Sequence, residues 1–149
     1  MLDQTNTAYQ GETQDLFTQP TFVYASFWQR FFAAFIDGFI LLIPNYIFQF
    51  MFGKETLGDY TASIITGWLY YALLESGSWQ ATVGKRSLRI KVVDMDGQRI
   101  SFGQATGRHF GKFISAIILF IGYFMMLWDD KKQTLHDKMA GTLVVEGEA

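Results

Sequence analysis

Three stretches of this chain are apolar over a helical length, separated by polar or charged connections. The first lies in "FWQRFFAAFIDGFILLIPNYIFQFMF", where residues 31–52 supply 22 positions interrupted by Asp37, Pro44, Asn45 and Gln49. A bilayer core about 30 Å thick needs about 20 helical residues at ~1.5 Å each. Backbone polar groups in lipid must be satisfied within the segment, so this stretch predicts a transmembrane helix. Phe27 and Trp28 stand at its mouth, where interfacial aromatics collect. Pro44 removes one backbone bond and predicts a kink. The second stretch, "YTASIITGWLYYALLES" at 60–76, is shorter and more polar. Alone it fits a buried helix or a span, and the short link "GKETLGD" favours a helical hairpin with the first. The third, "FGKFISAIILFIGYFMMLW" at 110–128, has 19 residues and is marginal for a crossing, so a re-entrant course stays open beside a full span.

A different period appears between the second and third stretches. "LRIKVVDMDGQRIS" alternates and is β-branched, with Asp96-Gly97 at a turn, which predicts a hairpin of strands 88–94 and 99–101. "GTLVVE" reads as another short strand, and residues 142–145 are a candidate third partner, because a two-stranded hairpin alone is marginal. If 110–128 crosses fully, that strand lies on the far side of the membrane and cannot reach the hairpin. The expected fold is a mainly α, helical membrane protein, with about three transmembrane helices and a small cytoplasmic β-hairpin between helices 2 and 3.

Composition agrees with the membrane reading. Of 149 residues, 50% are hydrophobic and 17% aromatic, with fifteen Phe, and 17% are charged against roughly 25% in an average soluble domain. Mean hydropathy is positive. The net charge of -2 gives no footprint for nucleic acid. The absence of cysteine excludes disulfides, a thiol nucleophile and thiolate metal ligation. The first twenty residues carry three acids and no Lys or Arg, unlike the basic start of a secretory signal, and read as a disordered tail before one domain at 21–149. Seven basic residues lie between Glu75 and Lys112 inclusive, against Glu75, Asp94 and Asp96. The positive-inside rule puts that loop and the tail in the cytoplasm, which makes the chain a multi-pass protein with the link near Lys54 outside.

At this level of detail, "FWQRFFAAFIDGFIL", "TVGKRSLRIKVVDMDGQRISFGQATGRHFGK" and "LWDDKKQTLHDKMAGTLVV" resemble blocks of the RDD family of small bacterial membrane proteins. The resemblance runs from Tyr24 to Val145, with the blocks in order. It implies that the family's arginine is Arg30, its first aspartate Asp37 and its second Asp137. It also implies residence in the bacterial cytoplasmic membrane and a transport role, with cation/proton exchange linked to some members.

The charged residues admit two readings. A charge at mid-bilayer costs about 2.5–3.5 kcal/mol on insertion scales, so Asp37 needs a partner, water or a raised pKa. Arg30, seven residues earlier, falls within about 20° of the same helix face and ~10.5 Å away along the axis. Asp37 could carry protons or monovalent cations, in a small exchanger or transporter subunit assembled as a homo-oligomer. Alternatively it is an interhelical clasp, bonded to Thr66 or Tyr70, or to Arg108 or Lys112, in a structural or accessory module that docks to a membrane partner or organises lipid. Arg30 is a topology anchor or a partner of Glu75 or Asp137. "DDKKQTLHD" gathers Asp129, Asp130, His136 and Asp137 in a spacing loose for a metal, and His136 is a candidate pH sensor. No nucleophile–base constellation or phosphate loop appears, so neither an enzyme nor a cofactor is expected.

Overall fold

The computed structural model describes residues 21–52, 57–118 and 121–147. The tail expected over 1–20 lies outside them, as do residues 53–56 of the first link. The elements are α1 (Phe27–Phe52), α2 (Leu57–Ser76), α3 (Val83–Ser87), β1 (Ile90–Asp94), α4 (Phe102–Ile117), α5 (Ile121–Phe124) with a 3-10 turn at Met125–Leu127, α6 (Leu135–Ala140) and β2 (Thr142–Glu146).

The helices are inside-out by the standard of soluble proteins. In α1, Ala33 and Asp37 are buried, while Phe31, Phe35, Phe39, Ile43 and Phe50 are exposed. In α4 the buried positions are Ala105, Arg108, His109, Gly111 and Ser115, and the outward ones include Phe110, Phe113 and Ile117. Spacings of three and four residues place each inward set on one helix face. A core helix of a soluble protein would be largely enclosed, yet only 11% of the most apolar window of α1 is buried. An apolar surface of this extent marks contact with a partner or a membrane. At 26 residues α1 is about 39 Å long, enough to exceed a bilayer core. Among the described residues it is the one unbroken helix both long and apolar enough to cross, and it runs through Pro44 without interruption.

The third apolar stretch is not one straight helix. Phe102–Ile117 and Ile121–Leu127 are bent by 115°. Gly122 sits so close to α4 that a Cβ there would lie 2.8 Å from the Ser115 Cβ. The folded-back course explains how β2 reaches β1. The strands pair antiparallel from Ile90↔Glu146 to Asp94↔Thr142. The expected hairpin between 88–94 and 99–101 is corrected. Its turn forms, with Asp94 Oδ1 accepting from the Asp96 and Gln98 N–H groups at 2.9 and 2.8 Å. The chain then leaves the sheet, because Ser101 and Gln104 close a capping box on α4 instead. The strand that replaces it is the more apolar one, Thr142–Val145, buried at every position. Tyr24 bridges to Val145 on the other edge of β2, and the Val92 N–H donates to the Gln80 carbonyl at 2.7 Å.

Alternation along the strands divides the sheet's two faces. Ile90, Val92 and Val144 pack with Ala25, ahead of α1, and with Ala33, Ala72 and Ala105 of the helices. Val93, Leu143 and Val145 pack beneath Phe22 and Tyr24. The sheet thus caps one end of the helical layer, and the polar residues gather at that junction.

Candidate functional site

The short helix α3 has three N–H groups without intrahelical acceptors at its start, and each finds an outside oxygen. Val83 donates to the Tyr70 hydroxyl at 3.2 Å, Gly84 to Asp37 Oδ1 at 2.8 Å, and Lys85 to the Thr82 hydroxyl at 3.3 Å. Helix starts leave such orphan donors, and a carboxylate there is favoured by the local dipole. Asp37, 0% exposed, also accepts from the Tyr70 hydroxyl at 2.7 Å and the Thr82 hydroxyl at 2.6 Å. Gly84 permits the approach, since a Cβ would lie 2.8 Å from Asp37 Oδ1 and would also meet the Ala33 carbonyl. One carboxylate on α1 therefore holds α2 and α3 together through three donors.

Lys85 on α3, ten residues after Glu75 of α2, reaches back to it and bonds Oε1 at 2.5 Å. Glu75 Oε2 faces Arg108 Nε of α4 at 3.1 Å. Arg108 Nη1 lies 2.9 Å from Asp137 Oδ1 of α6, and donates to the Thr142 hydroxyl of β2 at 2.6 Å. Asp137 Oδ2 pairs with Arg30 of α1 and accepts the Thr134 N–H at 3.1 Å. Arg30 Nη2 ends the series on the Lys132 carbonyl at 2.7 Å. Lys132 has φ +47°, in the left-handed region that a lysine rarely occupies. The ion pairs thus run Lys85–Glu75–Arg108–Asp137–Arg30, linking α3, α2, α4, α6 and α1. Glu75, Arg108 and Asp137 are each no more than 1% exposed. Burial pushes the Asp137 carboxyl upward, but the Arg108 and Arg30 guanidiniums outweigh it and hold it well below the usual carboxylate range.

The structure thus brings Arg30, Glu75, Arg108 and Asp137 into one lattice, with Asp37 in an adjoining cluster. It separates others. Asp129 pairs with Lys138 and accepts the Gln133 N–H at 2.9 Å, at the surface. Asp130 is exposed. Among the described residues no group of three or more His, Asp or Glu is gathered as a metal site. His136, the candidate pH sensor, is buried, which lowers its pKa to about 3, and its ring lies between the Ser115 hydroxyl at 3.3 Å and the Thr134 hydroxyl at 3.0 Å. Thr66 is not among the Asp37 partners, and Arg108 serves Glu75 and Asp137 instead. Sequence reasoning missed Thr82, Gly84, Lys85 and Thr142. The available signal was "TVGK", in which Thr82 stands three residues before Lys85 as a helix cap does.

A cavity of about 540 Å³ opens beside this lattice, between α1, α4 and the turn after α4. Arg30, Lys85, Arg108 and Lys112 reach its wall, with Asp37 as the one carboxylate. Phe27, Phe31 and Phe124 form apolar wall, and the Phe27 and Phe124 rings stack at 5.8 Å between centroids.

The family model described as "RDD family" matches residues 24–141. A Bacillus subtilis (strain 168) protein called "Uncharacterized protein YxaI" is 36% identical over 146 residues, 81% of this chain and 96% of its own length. "Uncharacterized membrane protein YteJ" of the same organism is 26% identical over 141 residues, 84% of this chain and 82% of its own. The "Proline-rich antigen homolog" of Mycobacterium tuberculosis (strain CDC 1551 / Oshkosh) is 43% identical over 84 residues, 53% of this chain and 35% of the antigen homolog. No solved structure matches significantly.

Proposed function

This chain belongs to the RDD family, and from that premise we propose that it is an integral protein of the bacterial cytoplasmic membrane whose arginine and aspartates act as an interhelical clasp. The module fastens a lipid-facing helical layer to a small cytoplasmic sheet and presents it to membrane partners. The observation that carries this reading is the saturation of Asp37. Its oxygens accept from the Tyr70 hydroxyl, the Thr82 hydroxyl and the Gly84 N–H at 2.6–2.8 Å. An exchanging carboxylate must release its partners at each cycle, whereas these three donors also position α3. YteJ bears the words "membrane protein" in its name, and the exposed apolar face of α1 supports the same residence here. A re-entrant course for residues 110–128 would leave β1 and β2 on one side of the membrane, and the basic loop supports the cytoplasm as that side.

The competing reading, cation/proton exchange through Asp37, draws on the cavity that reaches this carboxylate. Four basic side chains in the same lining oppose a passing cation.

Asp37→Asn separates the two. It replaces a charged acceptor of three hydrogen bonds by a neutral one, so the clasp predicts a loss of about 2 kcal/mol and a detergent melting temperature lower by about 5 °C. In proteoliposomes, wild type and variant should both leave an imposed pH gradient as empty vesicles do, with sodium or potassium present. Cation-dependent collapse of the gradient by wild type, abolished in Asp37→Asn with unchanged melting, would assign exchange instead.

A further inference from the structure

The cavity wall and the lattice behind it divide the charges unevenly. Glu75 and Asp137 neutralise cations from behind, and neither lines the cavity. Arg30, Lys85, Arg108 and Lys112 do line it, against Asp37, which already accepts from three donors. The surplus is sharpest at Lys112. Its Nζ sits 3.6 Å over the Tyr71 ring, and no carboxylate among the described residues pairs with it. Arg30 Nε is buried with no acceptor beside it. A cation on an aromatic face is held without being neutralised, so it keeps its donors for a ligand. Much of the remaining lining is apolar, with Phe27, Phe31, Ala34 and Phe124, and Phe31 and Phe124 are 50% and 45% exposed. A site of about 540 Å³ falls in the range that takes a small molecule or a headgroup.

We propose that this cavity binds an anionic lipid, its headgroup seated against Lys112 and Arg30 and its acyl chains leaving past Phe31 and Phe124. The apolar wall opens toward the bilayer, so a ligand with a charged end and a hydrocarbon tail meets both surfaces at once. Basic pockets between membrane helices on the cytoplasmic side suit such headgroups. Guanidinium and ammonium donors favour phosphate and carboxylate oxygens over a zwitterion, whose own cation would be opposed by this wall. The proposal rests on residence in the membrane and is independent of whether Asp37 exchanges ions.

The test uses the full chain in a neutral detergent, with lipid binding read by native mass spectrometry. Phosphatidylglycerol, oleate, phosphatidylcholine and inorganic phosphate are compared at matched concentrations. Phosphatidylglycerol or oleate should bind at one saturable site, the better of them identifying phosphate or carboxylate as the preferred anion. Lys112→Gln, which breaks no ion pair, should weaken binding about tenfold, the loss expected for one charge-assisted contact, and Ala34→Phe, which fills the apolar lining, should weaken it as well. Arg99→Gln, an exposed cation on the same basic loop, should leave binding unchanged. Equal binding of phosphatidylcholine, displacement of the lipid by inorganic phosphate, or wild-type affinity in both cavity variants overturns the proposal. The melting shift of Asp37→Asn reports separately on the clasp, so the two can fail independently.

Discussion

Arg108 faces two carboxylates at once, Glu75 at 3.1 Å and Asp137 at 2.9 Å, and so decides what removing either would do. Its planar fork can serve two acceptors in fixed directions, which a lysine ammonium cannot reproduce. Asp137→Asn takes the neutralising charge from Arg108 and Arg30 together. Breaking a buried pair from one side costs roughly 3–5 kcal/mol, because the remaining charge stays desolvated. The variant should therefore melt far below wild type in detergent, with a larger deficit than Asp37→Asn. His136 gives a pH dependence of known sign. Its folded pKa is about 3 against an ordinary 6.5, so between those values the unfolded chain binds the extra proton. Stability is then full above about pH 6.5 and falls as the medium is acidified, by at most about 1.4 kcal/mol per pH unit from one group. The contribution of Asp137 has the same sign but enters only below its ordinary value of 3.8. Chemical unfolding in detergent from pH 6.5 to 4.5 should show the decline in wild type, and His136→Asn should flatten it. Arg30 and Asp37 were legible in the sequence because a charge inside an apolar run demands an explanation. Lys85 was not, since a lysine in a basic loop looks solvated until the fold buries it to 8% exposure.

Among elements, the legible ones were those whose pattern repeats over enough residues. Most of α1 and α2 was visible, as the apolar stretches 31–52 and 60–76, and β1 lay within an alternating one. The pairing partner of β1 was not, because Ser101 and Gln104 serve equally as a strand end or as a helix cap. The cap prevails once Thr142–Val145 is at hand, with four consecutive buried positions to contribute. Similarly, 19 apolar residues do not reveal a bend of 115°. The bend has a consequence for topology that can be measured. The chain holds no cysteine, so a single introduced thiol is unique. Asp96→Cys, in the turn after β1, and Glu146→Cys, at the end of β2, should react from the same face of sealed inverted vesicles with a membrane-impermeant maleimide. Labelling from opposite faces would break the strand register Ile90↔Glu146.

At the level of the whole molecule, polarity is sorted radially. Phenylalanine and isoleucine face outward from α1 and α4, and the fixed charges meet where the helices join the sheet. The lattice needs all five of its elements, and they arrive in a particular order. Arg30 is synthesised first, then Glu75, Lys85 and Arg108, and Asp137 last. A nascent chain halted before that residue would hold two guanidiniums in or near lipid with one acid to share. Translation itself therefore sets a checkpoint: until the ribosome has delivered the "LHDK" segment, the insertion machinery or a chaperone must shield the unfinished charges, and truncated products should be cleared by membrane proteases rather than accumulate.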